Sequence, residues 1–178
     1  MTSIEILPLS DPIGAEIRGL DLRTPLTEEN IRMVKQVWFD HLIILFRDQT
    51  LTYGQQKKFA SYFGEVAKRG GDRGSPQEKT AGDGVMLVTN IRDNGKPIGT
   101  LPDGEMMFHH DMLHAEIPHK GTMLYSVEIP SHGGETLFAS GYAAYESLPD
   151  DIREPLEGKW ARHHYNYGSV QKGDDKGT

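Results

Sequence analysis

Gly121-Thr122-Met123-Leu124-Tyr125-Ser126-Val127-Glu128-Ile129-Pro130-Ser131-His132-Gly133-Gly134-Glu135-Thr136-Leu137-Phe138-Ala139 reads as strand, turn, strand. Met123, Tyr125 and Val127 alternate with smaller or polar residues, the period of a half-buried strand. Pro130 ends that run, and Ser131 to Gly134 is dense in turn formers before Glu135 to Ala139 resumes an extended pattern.

Working outward, the same vocabulary of short strands recurs. Upstream, Val85-Met86-Leu87-Val88 is a short apolar run expected to form a buried strand, and Asn94-Gly95 marks a turn. Downstream, Tyr142 to Leu148 is expected to be helical, with a second short helical stretch after Pro149 reaching Glu157. Gly158 breaks it, and Trp160 to Tyr167 has strand character before a polar, Gly-rich tail from Gln171 to Thr178. Residues 65–84 carry no periodicity and are rich in Gly and charge, as expected of a long mobile loop beside an active site.

The N-terminal third mixes strands with two helices. Ile4 to Leu9 alternates and meets Pro8, as an edge strand does, and Gly14 to Leu22 is a second strand region. Thr27 is an N-cap with Glu28 and Glu29 in the first turn, and Ile31, Val34, Val37 and Trp38 follow at helical spacing. Leu42-Ile43-Ile44-Leu45-Phe46 fits a fully buried strand. Thr52-x-x-Gln55 is a capping box opening a second helix, with Phe59, Tyr62 and Phe63 inward and Gly64 as its stop. The expected fold is mainly β with flanking helices (α+β), a jelly-roll or double-stranded β-helix architecture rather than a parallel βαβ sheet.

Composition narrows the function. The 178 residues suggest one domain, 1–178, large enough to bury a core without disulfides. There is no cysteine, which excludes a thiolate metal site and a Cys nucleophile; any metal must sit on His, Asp or Glu. A net charge of −7 argues against a nucleic-acid partner. Mean hydropathy is −0.53, and the longest apolar run falls far short of the roughly 20 residues that span a bilayer. With no signal-like start, a cytoplasmic protein is expected, acting on a small molecule and open to homo-oligomer formation.

Five of the eight histidines fall between 109 and 132, centred on Phe108-His109-His110-Asp111-Met112-Leu113-His114. In an extended segment His109 and Asp111 share one face and His110 points to the other. One imidazole and one carboxylate so placed grip one metal ion, and a second His from elsewhere completes the 2-His-1-carboxylate triad of non-haem iron oxygenases, with positions left open. On spacing alone, an ordinary surface pair is the commoner meaning of His-x-Asp. A helical segment would instead join His110 or Asp111 to His114, a zinc-like cluster without the Glu of a metalloprotease helix.

The pattern as a whole resembles the taurine/α-ketoglutarate dioxygenase (TauD/TfdA) family. It includes His109-x-Asp111, Gly133-Gly134-Glu135-Thr136-Leu137-Phe138, Ser140 to Leu148, Ile13 to Leu22, Leu45-Phe46-Arg47-Asp48-Gln49 and the Gln56 to Phe63 helix ending in Gly64-Glu65. The resemblance implies an Fe(II)- and 2-oxoglutarate-dependent oxidoreductase that hydroxylates a small organic substrate, with O2 consumed and 2-oxoglutarate converted to succinate and CO2. It makes His109 and Asp111 iron ligands, and Thr136 a hydrogen-bond partner of the 2-oxoglutarate carboxylate. Phe108 stands where the family usually has Trp, and Glu105 stands where the taurine enzyme has Asn near its bound small molecules, which makes Glu105 a candidate substrate contact. Lys68 to Ser75 lacks that enzyme's taurine-contacting His and Tyr, so taurine is not the expected substrate.

The family's distal His ligand and its 2-oxoglutarate-binding Arg have no counterpart here, since His163 and His164 come too early. The chain is therefore expected to be the N-terminal and central part of the domain, stable only with a further segment or partner. Two other readings stay open: a non-catalytic jelly-roll binding module, and a cupin-like metal protein using His109, Asp111 and His114.

Overall fold

A computed structural model describes residues 3–67, 84–99 and 107–163. Most of the expected 65–84 loop, Glu105, His164 and the tail lie outside the described residues.

The N-terminal part is a small mixed sheet packed on two helices. Strand β1 (Glu5–Pro8) pairs antiparallel with β2 (Ala15–Arg18), Ile6 opposite Ile17. Helix α1 (Glu28–His41) then crosses over so that β3 (Ile44–Leu45) lies parallel to β2, Ala15 opposite Ile44. The Thr27 side chain caps α1 by accepting the Asn30 N–H at 3.2 Å, as the sequence pattern predicts.

Leu42–Phe46 corrects an expectation. Only Ile44 and Leu45 form the strand, and both are half-buried at the sheet edge. Leu42 is spent closing α1: its φ is 65° and its N–H bonds the Trp38 carbonyl at 2.7 Å.

Helix α2 (Tyr53–Ser61) has the full capping box: Gln55 N–H donates to Thr52 Oγ1 at 3.3 Å, and Thr52 N–H to Gln55 Oε1 at 2.9 Å. Its stop is tighter than expected. The chain leaves through Tyr62, whose N–H bonds the Phe59 carbonyl, and Gly64 has no left-handed φ.

Ala15, Ile17, Leu22, Val34, Val37 and Phe59 form the buried core, with Phe46, Phe63 and Met123 packed against it. Phe59 meets Phe46 and Phe63 edge-on at centroid distances of 5.3 and 5.4 Å, a favoured geometry for aromatic pairs. Glu16 is buried on β2, yet charged groups satisfy it. Arg18 Nε donates to Oε1 at 2.7 Å and Arg47 Nε to Oε2 at 3.4 Å. The Arg18 hydrogen bond leads in holding this carboxyl below its ordinary value, outweighing the burial that would raise it.

Beyond α2 the described residues hold little regular structure. Asn94-Gly95 does turn a hairpin, β4 (Arg92–Asp93) against β5 (Lys96–Pro97), with φ of 49° and 77° as a two-residue turn of this kind requires. Helix α3 (Gly141–Glu146) is capped by Ser140, whose hydroxyl accepts the Ala143 N–H. Helix α4 (Asp150–Arg153) and a 3₁₀ turn (Glu154–Leu156) follow, ending before Gly158 as anticipated.

The strands expected at Val85–Val88, Gly121–Ile129, Glu135–Ala139 and from Trp160 do not form. A strand needs a ladder with a neighbour, and among the described residues (to 163 for the last stretch) no ladder includes these stretches. Several of their apolar side chains are left open: Val127 is 81% exposed and Ile129 77%. The described architecture is a mixed sheet with helices.

Candidate metal centre

Gly121 to Tyr125 is the stretch that ties the later chain to the N-terminal core. Gly121 runs so close to α1 that a Cβ there would sit 2.7 Å from the Trp38 ring. Lys120 Nζ lies over the Phe39 ring at 5.5 Å. Met123 packs on the core, and the Tyr125 hydroxyl accepts the Leu51 N–H at 3.0 Å while donating to the Gln49 carbonyl at 3.3 Å. Met123 and Tyr125 are half-buried, whereas Thr122 and Leu124 are exposed. The period-two alternation of an extended chain therefore survives without a ladder, and Thr122 is on the parity facing away from the core.

His109 and Asp111 stand across from it. Their segment is neither of the two shapes weighed from sequence, extended or helical. Leu113 N–H reaches the His110 carbonyl at 3.4 Å, Ala115 N–H bonds the Met112 carbonyl at 2.9 Å, and Met112 has a φ of 56°, so the chain turns here. The two side chains meet nonetheless, His109 Nε2 lying 3.1 Å from Asp111 Oδ1. His110 is directed elsewhere, its Nδ1 2.9 Å from the Asp111 carbonyl oxygen.

The hydrogen bonds around the pair set its chemistry. His109 Nδ1 lies 3.0 Å from the Met107 carbonyl, which only accepts, and Nε2 faces a carboxylate oxygen, which also only accepts. A neutral imidazole carries one N–H, so one of its two nitrogens turns a lone pair on an acceptor. With a metal ion at Nε2, the ring proton would sit on Nδ1, facing the Met107 carbonyl, and Asp111 Oδ1 would stand beside the ion. A carbonyl fixing the remote ring nitrogen is the usual support of a metal-bound His.

The spacing also fits. Two neighbouring ligands on an octahedral ion with bonds of about 2.1 Å stand about 3.0 Å apart. The other carboxylate oxygen, Asp111 Oδ2, accepts the Thr122 hydroxyl at 2.6 Å. Both side chains are 47% exposed, so an ion has access to them. The donor set suits a divalent ion that takes nitrogen and oxygen.

Other expected participants are not brought in. Thr136 is exposed two residues past Gly134 and makes no hydrogen bond to His109 or Asp111. Among the described residues no group of three His, Asp or Glu forms, so a cluster of His109 and Asp111 with His114 is not built. His163 is exposed, and Glu105 lies outside the described residues. Thr122 and the Met107 carbonyl were not anticipated. The only sequence signal for Thr122 was its parity opposite Met123 and Tyr125.

Comparison with known proteins bears on this geometry. The model of the taurine catabolism dioxygenase TauD, TfdA family matches residues 5–177. Pentalenolactone F synthase of Streptomyces avermitilis is 34% identical over 159 residues, 88% of this chain and 51% of that protein. The alpha-ketoglutarate-dependent sulfate ester dioxygenase of Pseudomonas putida is 30% identical, over 94% of this chain and 52% of its own. Among solved structures, a candidate alpha-ketoglutarate-dependent 2,4-D dioxygenase from Burkholderia xenovorans superposes with a TM-score of 0.60 at 26% identity, over 88% of this chain and 51% of that one. The chain spans about half the length of the curated relatives it matches. Among the described residues no helix is long and apolar enough to cross a membrane.

Proposed function

Since this chain belongs to the TauD/TfdA dioxygenase family, we propose that it works as an Fe(II)- and 2-oxoglutarate-dependent dioxygenase on a small organic substrate. The observation that carries the reading is the 3.1 Å approach of His109 Nε2 to Asp111 Oδ1, with the ring's other nitrogen tied to the Met107 carbonyl. His109 Nε2 and Asp111 Oδ1 would hold the iron. When bound, iron and 2-oxoglutarate supply the oxidising chemistry, in which O2 and 2-oxoglutarate give succinate, CO2 and one hydroxyl on the substrate.

The chain's own residues have separate tasks. With the iron on Nε2, the Met107 carbonyl would accept the N–H of His109 Nδ1 and so orient the ring. Asp111 contributes a negative charge that offsets part of the ion's. Thr136, after the Gly133-Gly134 turn, is assigned to a carboxylate of 2-oxoglutarate, and Glu105 to the substrate. The 65–84 segment would border the site. A jelly-roll domain, to which 1–178 contributes the N-terminal and central part, would supply ladder neighbours for the stretches after α2 that were expected to be strands. Names of relatives suggest where to look for substrates: sulfate esters and phenoxypropionate.

The test is succinate formation from 2-oxoglutarate under air with Fe(II) by the completed domain that contains 1–178, across a panel of alkyl sulfate esters and aryloxyalkanoates. Turnover that falls to background in His109→Ala and in Asp111→Ala is expected. Turnover undiminished in both would refute the assignment.

A further inference from the structure

We propose that Thr122 is the positioning residue of the metal centre, locking the Asp111 carboxylate so that Oδ1 faces His109. This rests on the reading of His109 and Asp111 as metal ligands. A carboxylate on a short side chain rotates about its terminal bond with little resistance. An exposed Asp in a turn would sample orientations in which neither oxygen meets Nε2. Asp111 does not have that freedom, because the Thr122 hydroxyl donates to Oδ2 at 2.6 Å, the length of a charge-assisted O–H···O⁻ bond. With Oδ2 held, Oδ1 is left toward His109 Nε2 at 3.1 Å.

Thr122 is suited to the task by its surroundings. Its β-branched side chain is stiff at χ1. Its backbone is flanked by the closest approach of this segment to α1, Gly121 on Trp38, and by Met123 on the core. Two residues on, Tyr125 is tied to the backbone of Gln49 and Leu51. The carboxylate is thus referenced to the N-terminal core through 122, while His109 is referenced to its own loop through the Met107 carbonyl. Ligand separation therefore depends on how two stretches, 107–111 and 121–125, are held relative to each other.

The test is binding of Mn(II) alone, followed from the free-ion EPR signal, in the intact protein and in His109→Ala, Thr122→Val and Thr122→Ser. Val keeps the shape of Thr and removes the hydroxyl. Binding is expected to weaken about 10- to 100-fold in Thr122→Val and to stay within about threefold of wild type in Thr122→Ser. The metal-free melting curve of Thr122→Val should match wild type, since the side chain is exposed. Wild-type affinity in Thr122→Val, with binding lost in His109→Ala, would overturn the positioning role alone. Serine binding as weakly as valine would overturn it too, because a hydroxyl would then not be the active group. Equal binding by wild type and His109→Ala would remove the metal reading and the proposal with it.

Discussion

The backbone N–H of Leu51 donates to the hydroxyl of Tyr125 at 3.0 Å, across 74 positions of sequence. The same hydroxyl donates to the Gln49 carbonyl at 3.3 Å, so one phenol satisfies two backbone groups just ahead of α2. Tyr125→Phe keeps the ring and strands both groups in a half-buried place. A stability loss of about 1 kcal/mol is expected by urea denaturation. An unchanged midpoint would mean that water replaces the phenol there.

Gly121→Ala should be more disruptive than its size suggests. The new Cβ would lie 2.7 Å from Trp38 Cζ2, and that ring is itself packed on Phe39 and edge-on to Phe63. Relief requires moving a packed aromatic, at a cost of about 1–3 kcal/mol. A shift in tryptophan emission should accompany it, since Trp160 is 99% exposed and gives a constant background. Gly141→Ala is the control, because nothing lies within 4 Å of its added carbon.

Acid should unfold the chain partly through Asp21 and Glu16. The Arg23 guanidinium, with the Arg23 N–H, holds Asp21 down to about 2 from an ordinary 3.8. Arg18 and then Arg47 hold Glu16 below its ordinary value. Both carboxyls ionise more readily folded than unfolded, so between those limits the unfolded chain binds more protons. Their contribution is complete above about pH 5 and declines as pH falls, Asp21's part being lost as pH passes through about 2. Denaturation midpoints measured from pH 5 to 2 should fall, and Asp21→Asn should flatten that limb. An identical slope in the variant would contradict the assignment.

Hydrogen exchange should divide the chain. Amides of β2, α1 and α2 surround the core of Val34, Val37 and Phe59 and are expected to exchange slowest. Amides from 126 to 139, without ladders and with Val127, Ile129 and Leu137 mostly exposed, are expected to exchange fastest. Slow exchange in 126–139 would mean that those stretches find partners in solution.

The two long helices were legible because their signals are local. Thr27 with Glu28 and Glu29, and Thr52 with Gln55, satisfy helix-end N–H groups within one turn, so neighbours in sequence suffice. The Asn94-Gly95 hairpin was legible for the same reason. Leu42 to Phe46 was misread in extent because helix closure claimed Leu42, a competition that hydropathy does not show. The later strands were over-read, since alternation says which face a residue takes but not whether a neighbour exists to pair with it.

Sequence alone determined the family pattern, the helix caps and the fact that His109 and Asp111 are close enough along the chain to meet. Only the tertiary structure decided how they meet. It made their segment a turn, neither extended nor helical, placed the Met107 carbonyl against His109 Nδ1, and brought Thr122 from 11 residues away onto the free carboxylate oxygen. The physical reason is reach. A cap or an i,i+2 pair is closed by bonds within a few residues, whereas the orientation of a carboxylate depends on groups that packing delivers from elsewhere in the chain.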